Sequence, residues 1–197
     1  MRFWLCASAL AGCLVVVGWP QSAAAQSPDA PKRVNELTLA GLRPGKDTLA
    51  AVKKRFGVVH TVPDKSKADN TKVWVDHCTG RSLSVEVDEK GVVQTLTVAL
   101  LPPGSGDCSG NPSRHSPIRT DNLKTGRGLK LGDPRDRVVE LYGEPNSSGP
   151  SAKGGQELEL LFYAFDWAGS DVPQVMEVSC DRATGRVVEM TLAFPSL

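Results

Sequence analysis

Three adjacent residues, Asp76-His77-Cys78, form the one cluster in the sequence that carries the side chains of a thiol catalyst. A cysteine nucleophile needs a base within hydrogen-bonding reach. Successive side chains of a strand point to opposite faces, so His77 is poorly placed to deprotonate Cys78. Asp76 shares a face with Cys78, but a nearby carboxylate raises the pKa of a thiol and disfavours the thiolate. The cluster therefore favours a structural cysteine, with a thiol enzyme that uses Cys78 as a lower-ranked alternative.

Other catalytic and cofactor motifs find little support in the sequence. His60 and His115 lie in predicted loops and have no partner at metal-ligand spacing. The sequence also lacks a Gly-x-Ser-x-Gly motif, a phosphate-binding loop and a dinucleotide fingerprint. We therefore expect a protein that is not an enzyme and that binds neither a cofactor nor a metal.

Residues 156–167 have the composition of an interaction surface. Their alternation predicts a strand whose even-numbered residues, Leu158 to Ala164, face a core. Tyr and Trp are frequent in interface hot spots because they bury a large rigid area and keep a polar end. We predict that partner-binding residues lie on the other side of the strand, with Trp74 at the matching place in the first half of the chain: Trp74, Glu157, Glu159, Tyr163, Phe165 and Trp167. The alternative, that these aromatic residues are core, stays open.

The charge distribution indicates the kind of partner. Between Val138 and Asp181 there are eight acidic residues against Lys153 alone, which favours a protein partner with a basic surface. The 22 acidic residues of the chain equal its basic residues once Arg2 is removed with the leader described below. This neutrality argues against a nucleic-acid partner.

Two helices with clear start and stop signals position these strands. The first is predicted to start after Asp47 or Thr48 and to end at Gly57, with Leu49, Val52 and Phe56 as its apolar stripe. The second is predicted within the segment 128–145, with the following residues in order: Asp133 as N-cap, Pro134 as first residue, Val138, Leu141 and Tyr142 as apolar stripe, and Gly143 as stop.

The strands follow each helix. Alternating apolar residues predict strands at 73–77, 82–87, 92–101, 156–167, 172–181 and 187–194. The small residues of 146–155 predict a loop.

These elements predict an α+β fold of two tandem units. Each unit is a short N-terminal helix or helix pair packed on a three- to four-stranded antiparallel sheet. The predicted divisions are a signal peptide at 1–25, a flexible leader at 26–36, a first unit at 37–101, a Pro/Gly-rich linker at 102–125 and a second unit at 126–197. Whether the two sheets join into one is left open.

The N-terminus predicts export. Arg2 precedes an apolar run that ends at Trp19, and Ala23 to Ala25 provide a small-residue cleavage site. The run is shorter than the roughly 20 apolar residues that span a membrane, so we expect no membrane span. Cys13 lies in a lipobox-like context, but the apolar run continues past it, which disfavours a lipid anchor there. The mature protein is expected in the periplasm or outside the cell.

Three cysteines remain after cleavage, and an oxidising compartment favours pairing two of them. We predict a Cys78–Cys108 disulfide, which closes a loop of about 30 residues and would contribute about 3 kcal/mol. Cys180 alternates with Met176 and Val178, which predicts a buried thiol.

The segment Leu131-Gly-Asp-Pro-Arg-Asp-Arg-Val138, followed by Leu141-Tyr-Gly-Glu-Pro145, resembles the small domain of the SmpA/OmlA outer-membrane-assembly lipoproteins. Two such units in an exported, cysteine-bearing chain look like the secreted β-lactamase-inhibitor proteins, which bind their target on a concave sheet. The resemblance implies the fold, while function by resemblance is an analogy.

The function predicted from the sequence is an exported, non-enzymatic protein-binding module that acts through an aromatic, acidic sheet face. The alternative is a structural or assembly factor of the bacterial cell envelope. Inhibition of a β-lactamase or of another enzyme ranks below both.

Mass spectrometry of the mature N-terminus tests the export prediction. Cleavage after Ala25 should give a chain that begins at Gln26, because the small residues end there. A chain that begins with an acylated Cys13 would contradict it and would favour the envelope-assembly alternative.

Overall fold

Two short helices and seven strands are present in the part of the chain that the computed structural model describes, residues 35–57, 70–102, 122–165 and 174–194. In chain order they are α1 (Leu49–Phe56), β1 (Thr71–Asp76), β2 (Arg81–Val87), β3 (Val93–Leu100), α2 (Arg135–Tyr142), β4 (Ser147–Lys153), β5 (Gln156–Phe165), β6 (Gln174–Asp181) and β7 (Val187–Ala193). All of them belong to one compact unit, Arg33–Leu197. The predicted α+β class is confirmed.

The seven strands pair into a single antiparallel sheet with the order β1-β2-β3-β7-β6-β5-β4. At its centre β3 pairs with β7, and Thr97 lies opposite Thr191 with 3.0 Å between the two hydroxyl oxygens. This pairing answers the question that the sequence left open, because strands from both halves of the chain join in one sheet. The tandem-unit organisation itself stays a prediction.

Both helices pack against the same face of the sheet. The ring of Phe56 in α1 lies 6.5 Å from that of Trp74, and the ring of Tyr142 in α2 lies 5.8 Å from that of Tyr163. The strand register places one buried row across six strands beneath them: Trp74, Leu83, Val98, Met190, Val178 and Leu161. The hydrophobic core therefore lies on the helix side of the sheet.

Helix α1 begins and ends where the sequence predicts. The Thr48 hydroxyl accepts a hydrogen bond from the Ala51 amide, and Gly57 ends the helix with a φ of 80°. Its buried residues, Val52 and Phe56, belong to the predicted apolar stripe. A positive φ costs little only for glycine, which explains the residue type at the stop.

The predicted N-cap of α2 is wrong by one residue. Pro134 occupies the cap position without a side-chain hydrogen bond. The Asp133 carboxylate instead accepts a hydrogen bond of 2.9 Å from the Lys130 amide, which closes the turn before the helix. Val138 and Tyr142 are buried, and Gly143 ends the helix as predicted.

Strand β4 lies within the segment predicted as a loop, so that prediction is wrong. Its residues are small and include Gly149 and Pro150, which disfavour a central strand. β4 is an edge strand that pairs with β5 alone. An edge strand tolerates proline because one side of its backbone needs no partner strand.

The two helices are joined to the sheet by matching hydrogen bonds. At α1, the Val93 amide donates to the Asp47 carbonyl and the Leu49 amide donates to the Gly91 carbonyl. At α2, the Val187 amide donates to the Asp133 carbonyl, and the Arg135 amide donates to the Gly185 carbonyl. Val93 and Val187 begin β3 and β7, so the two strands that pair at the centre of the sheet also carry the helix attachments.

A buried carboxylate, Glu36, connects the N-terminal segment to the residues before α2 and to the last residue of α2. Its exposed fraction is 2%. Its oxygens accept hydrogen bonds from four backbone amides, those of Leu37, Thr38, Gly126 and Arg127, at 2.9 to 3.1 Å. The Tyr142 hydroxyl lies 2.8 Å from Glu36 Oε2 and 2.7 Å from Thr125 Oγ1. A buried carboxylate is tolerated when its oxygens are satisfied in this way.

The substitution Tyr142→Phe should lower the free energy of unfolding by about 1–3 kcal/mol, because it leaves buried oxygens of Glu36 and Thr125 with one partner fewer. Urea denaturation measures this loss. The control is Tyr163→Phe, which removes a hydroxyl bonded to the neutral Gly143 carbonyl and should cost less. Equal losses for the two variants would contradict a special role for the Glu36 contact.

Candidate functional site

The predicted aromatic face of β5 lies against the helices. Tyr163 and Phe165 are both fully buried, and their rings stack at 6.0 Å beneath Tyr142. The Tyr163 hydroxyl donates to the carbonyl of Gly143, at the end of α2. The prediction that these two side chains point away from the core is therefore wrong. The alternation itself is regular, but the odd-numbered residues of β5 face the helices, and the even-numbered ones do not.

The two predicted carboxylates of β5 have different environments. Glu159 forms a two-point ion pair with Arg135 in the first turn of α2, with distances of 2.9 and 3.1 Å. This hydrogen-bonded contact raises the pKa of Arg135 and helps hold the helix on the sheet. Glu157 is exposed, and its nearest cation is Arg182 at 3.8 Å. Neither carboxylate therefore lies on a surface with exposed aromatic side chains.

Trp74 is also a core residue. It is 3% exposed, and its indole N–H donates to the carbonyl of Gly57, which ends α1. Trp74 therefore fixes the C-terminus of α1 to the sheet, and its prediction as an exposed partner-binding residue is wrong. Trp167 lies outside the described residues.

The face of the sheet opposite the helices, here called the open face, has a different composition. Neither described helix lies on it. Its central row runs across the sheet through register neighbours: Val73, Ser84, Thr97, Thr191, Glu177, Phe162 and Ser147. The adjacent row is Val75, Ser82, Ala99, Glu189, Ser179, Leu160 and Gly149. Most of these residues are half-buried, Ser179 is buried, and Glu177 and Ser147 are exposed.

Hydroxyl groups occupy the middle of the open face, and apolar side chains occupy its β5–β6 side. Leu160, Phe162 and Val175 are half-buried there. Leu158 is 3% exposed, yet it lies outside the core cluster that the helices cover. Among the described residues, Phe162 is the one aromatic residue of the open face. This side of the sheet therefore presents a small apolar patch beside polar residues, the pattern of an interface core and rim.

The carboxylates of the open face differ in how well they are satisfied. Glu189 is paired with Lys153. Asp181 accepts hydrogen bonds from Gln156 and Thr184, which lower its pKa. Glu177 is exposed and makes no ion pair within the described part of the chain. Glu177 lies directly opposite Phe162 on the neighbouring strand.

The Asp76-His77-Cys78 cluster forms a turn. Asp76 is 6% exposed, and its Oδ1 accepts hydrogen bonds from the amides of Cys78 and Thr79 at 2.9 and 3.1 Å. The carboxylate therefore stabilises the β1–β2 connection and is not placed to activate a thiol. Cys108 lies outside the described residues, so the Cys78–Cys108 disulfide stays a prediction.

Sequence reasoning missed the open face because it assigned Leu158, Leu160, Phe162 and Ala164 to the core. The signal that could have corrected it is on β6, where Glu177 and Ser179 alternate with the more apolar Met176, Val178 and Cys180. In an antiparallel register the polar residues of β6 share a face with their neighbours on β5. Glu177 lies opposite Phe162, which identifies the even-numbered face of β5 as the one away from the core.

Two absences hold for residues 35–57, 70–102, 122–165 and 174–194, namely a metal-ligand cluster and a membrane-spanning helix. Within these segments, no three His, Cys, Asp or Glu side chains are grouped so as to hold a metal ion. None of the helices found there has the length and apolar character required to cross a membrane.

Cys180 is a free thiol at the end of β6, 1% exposed, as predicted. Burial, together with the nearby Glu159 carboxylate, raises its pKa from 9.0 to about 11. At pH 8 a rise of this size lowers the thiolate fraction about a hundredfold. The protonated thiol stabilises the fold fully below pH 9.0, and this contribution is lost as the pH rises through about 11.

Cys180 should therefore react with Ellman's reagent at pH 8 at least about a hundredfold more slowly in the native protein than in urea. The rate of thiol release measures this difference. The slow phase should be absent from the variant Cys180→Ser, which would assign that phase to Cys180. Fast native modification of Cys180 would contradict the buried, protonated thiol.

Comparisons with known proteins give limited likenesses. No protein-family model matches the chain, and no curated protein matches it. The similarity to the outer-membrane-assembly lipoproteins thus finds no support. Among solved structures, a DUF4309 family protein from Bacillus subtilis is similar over 81% of this chain and 88% of its own, with 9% identity and a TM-score of 0.47. A candidate beta-lactamase inhibitor protein from Streptococcus mutans is similar over 81% and 90%, with 16% identity and a TM-score of 0.27. At these identities and TM-scores, neither likeness supports an argument about function.

Proposed function

We propose that this chain is a non-enzymatic protein-binding module that acts through the open face of its sheet. One observation carries the proposal: both described helices cover one side of a seven-stranded sheet, and the other side carries an apolar patch next to an exposed carboxylate. An antiparallel sheet can keep one face solvated. Such a face is usually polar, so half-buried Leu160, Phe162 and Val175 on it need a reason.

Partner binding supplies that reason. Interfaces combine a central apolar patch with a polar rim that can form hydrogen bonds. Phe162 lies beside the carboxylate of Glu177, and the hydroxyls of Thr191 and Thr97 follow on the next two strands of the same row. Because Phe162 is already half-buried, a partner that covers the rest of it would gain only a part of the roughly 1.5–3 kcal/mol that full burial of such a side chain contributes. The acidic character predicted from the sequence is retained in this proposal, while the aromatic contribution is reduced from several rings to one.

The non-enzymatic part of the proposal is supported by the roles of the reactive side chains. Asp76 is engaged by two backbone amides, and Cys180 is kept protonated by burial. Glu159 is held by Arg135. Each of these groups already has a structural partner or an environment that suppresses its reactivity.

Export, the Cys78–Cys108 disulfide and the tandem-unit origin of the sheet are further parts of the proposal. Export is motivated by the apolar N-terminal run and its small-residue cleavage site. The tandem units are motivated by the matching hydrogen bonds that attach Asp47 to Val93 and Asp133 to Val187. In that arrangement the equivalent strands of the two units would form the middle of the open face.

Replacing Phe162 by arginine tests the proposed surface. The wild-type protein would be cross-linked to its partner in envelope extracts, and the affinity of the purified partner for each variant would then be measured by calorimetry. Loss of the apolar contact, together with the burial of an unpaired positive charge, should weaken binding about tenfold or more, since each 1.4 kcal/mol corresponds to a factor of ten.

The control is Leu100→Arg. Leu100 is a large apolar residue of β3 that is 38% exposed, and it lies on the helix side of the sheet. This variant should bind like the wild type. Thermal unfolding of both variants confirms that each is folded. Equal binding by the two folded variants would place the interface elsewhere and overturn the proposed function.

A further inference from the structure

We infer that the open face binds a protein loop with a basic side chain next to an apolar one, the basic group contacting Glu177 and the apolar group contacting Phe162. This inference rests on the proposed function and specifies the chemistry of the partner. It follows from the arrangement of four groups on β5 and β6: Leu160, Phe162, Val175 and Glu177.

The geometry places the apolar and acidic groups side by side. Phe162 and Glu177 are register neighbours on adjacent strands, so their Cβ atoms are about 4.5–5.5 Å apart. Leu160 is two residues along β5, and Val175 is two residues along β6, both on the same face. A loop that reaches this place therefore meets a carboxylate and an apolar patch within the span of two or three of its own residues.

The charges of the open face set the sign of the partner. Four carboxylates lie on the described part of this face, Glu86, Glu177, Asp181 and Glu189, against one cation, Lys153. Lys153 is already paired with Glu189, and Asp181 is satisfied by its hydrogen bonds. Glu86 accepts a hydrogen bond of 3.4 Å from the Asn70 side chain and lies on β2, with β3 and β7 between it and β6. Glu177 is therefore the carboxylate that a partner covering the apolar patch must accommodate.

An apolar partner would pay a penalty at this position. Covering Glu177 without a counter-charge removes its hydration and leaves an unpaired charge in the interface. A lysine or arginine offsets that loss and, next to Phe162, can also interact with the face of the ring. The best-matched occupant is therefore basic and apolar at neighbouring positions.

Two other classes of ligand fit less well. Nucleic acids would be repelled by the excess of carboxylates, since their affinity depends on neutralising phosphates with cations. Polysaccharides need broad exposed ring faces, but Phe162 is half-buried and is the one ring on the described open face. A loop of a protein can instead follow the surface with its own side chains, and the threonine and serine hydroxyls can bond to its backbone.

Selection of disulfide-closed seven-residue loops from a display library on the immobilised full-length protein tests this inference. The selected loops should be enriched in Lys or Arg beside an apolar residue. Synthetic copies of them should bind Glu177→Gln and Phe162→Ser at least about fivefold more weakly than the wild type. Their affinity for the wild type should also fall with added salt, and this dependence should be smaller for Glu177→Gln.

The matched control is Glu157→Gln, the same substitution at an exposed glutamate of β5. Glu157 is an odd-numbered residue and lies on the helix side of the strand, away from the open face. It should leave loop binding unchanged, and it removes the same formal charge from the protein. A loss of affinity for Glu157→Gln as large as for Glu177→Gln would indicate a general charge effect and would overturn the specific contact.

The remaining outcomes separate the inference from the proposed function. In one outcome, the selected loops lack basic residues, bind Phe162→Ser more weakly and bind Glu177→Gln with unchanged affinity. That outcome would overturn the inference and leave the proposed function in place. Loops whose affinity is unchanged by Phe162→Ser, or a selection that enriches no loop, would count against the proposed function as well. Binding to insoluble cell-wall polysaccharide that depends on Phe162 would overturn the assignment to a protein partner.

Discussion

The pairing of β3 with β7 is the interaction on which the rest of this structure depends. It places Thr97 opposite Thr191 and joins strands from the two halves of the chain in one sheet. Without this ladder each half would have an exposed sheet edge, which is a site for unwanted pairing. With it, the sheet becomes wide enough for both helices to cover one face while a continuous second face remains.

The covering layer is held by polar contacts at its margins as well as by its apolar core. Glu36 joins the N-terminal segment to Tyr142 and to the residues before α2. Arg135 and Glu159 attach the start of α2 to β5, and the Trp74 indole attaches the end of α1 to β1. Each contact satisfies a group that would be costly to bury alone, so together they favour one placement of the helices.

That placement separates the side chains of the sheet into two functional classes. The large aromatic residues Trp74, Tyr163 and Phe165 stabilise the core. In the proposed function, the smaller patch around Phe162, with Glu177 beside it, contacts a partner protein. The even-numbered side of β5 carries no acidic residue, and the exposed carboxylate beside Phe162 is Glu177 of β6.

The sequence by itself determined both helices with their glycine stops, six of the seven strands within a few residues, and the buried thiol of Cys180. These features depend on local signals, such as caps, turns and alternation, that are written in neighbouring residues. The sequence did not predict β4, because an edge strand can form by pairing with its neighbour even when its own residues have a low strand propensity. It also did not determine which side of β5 faces the core, because both sides carry apolar residues. Only the tertiary structure decided that, through the register between β5 and β6 and the packing of α2, which are contacts between residues far apart in the chain.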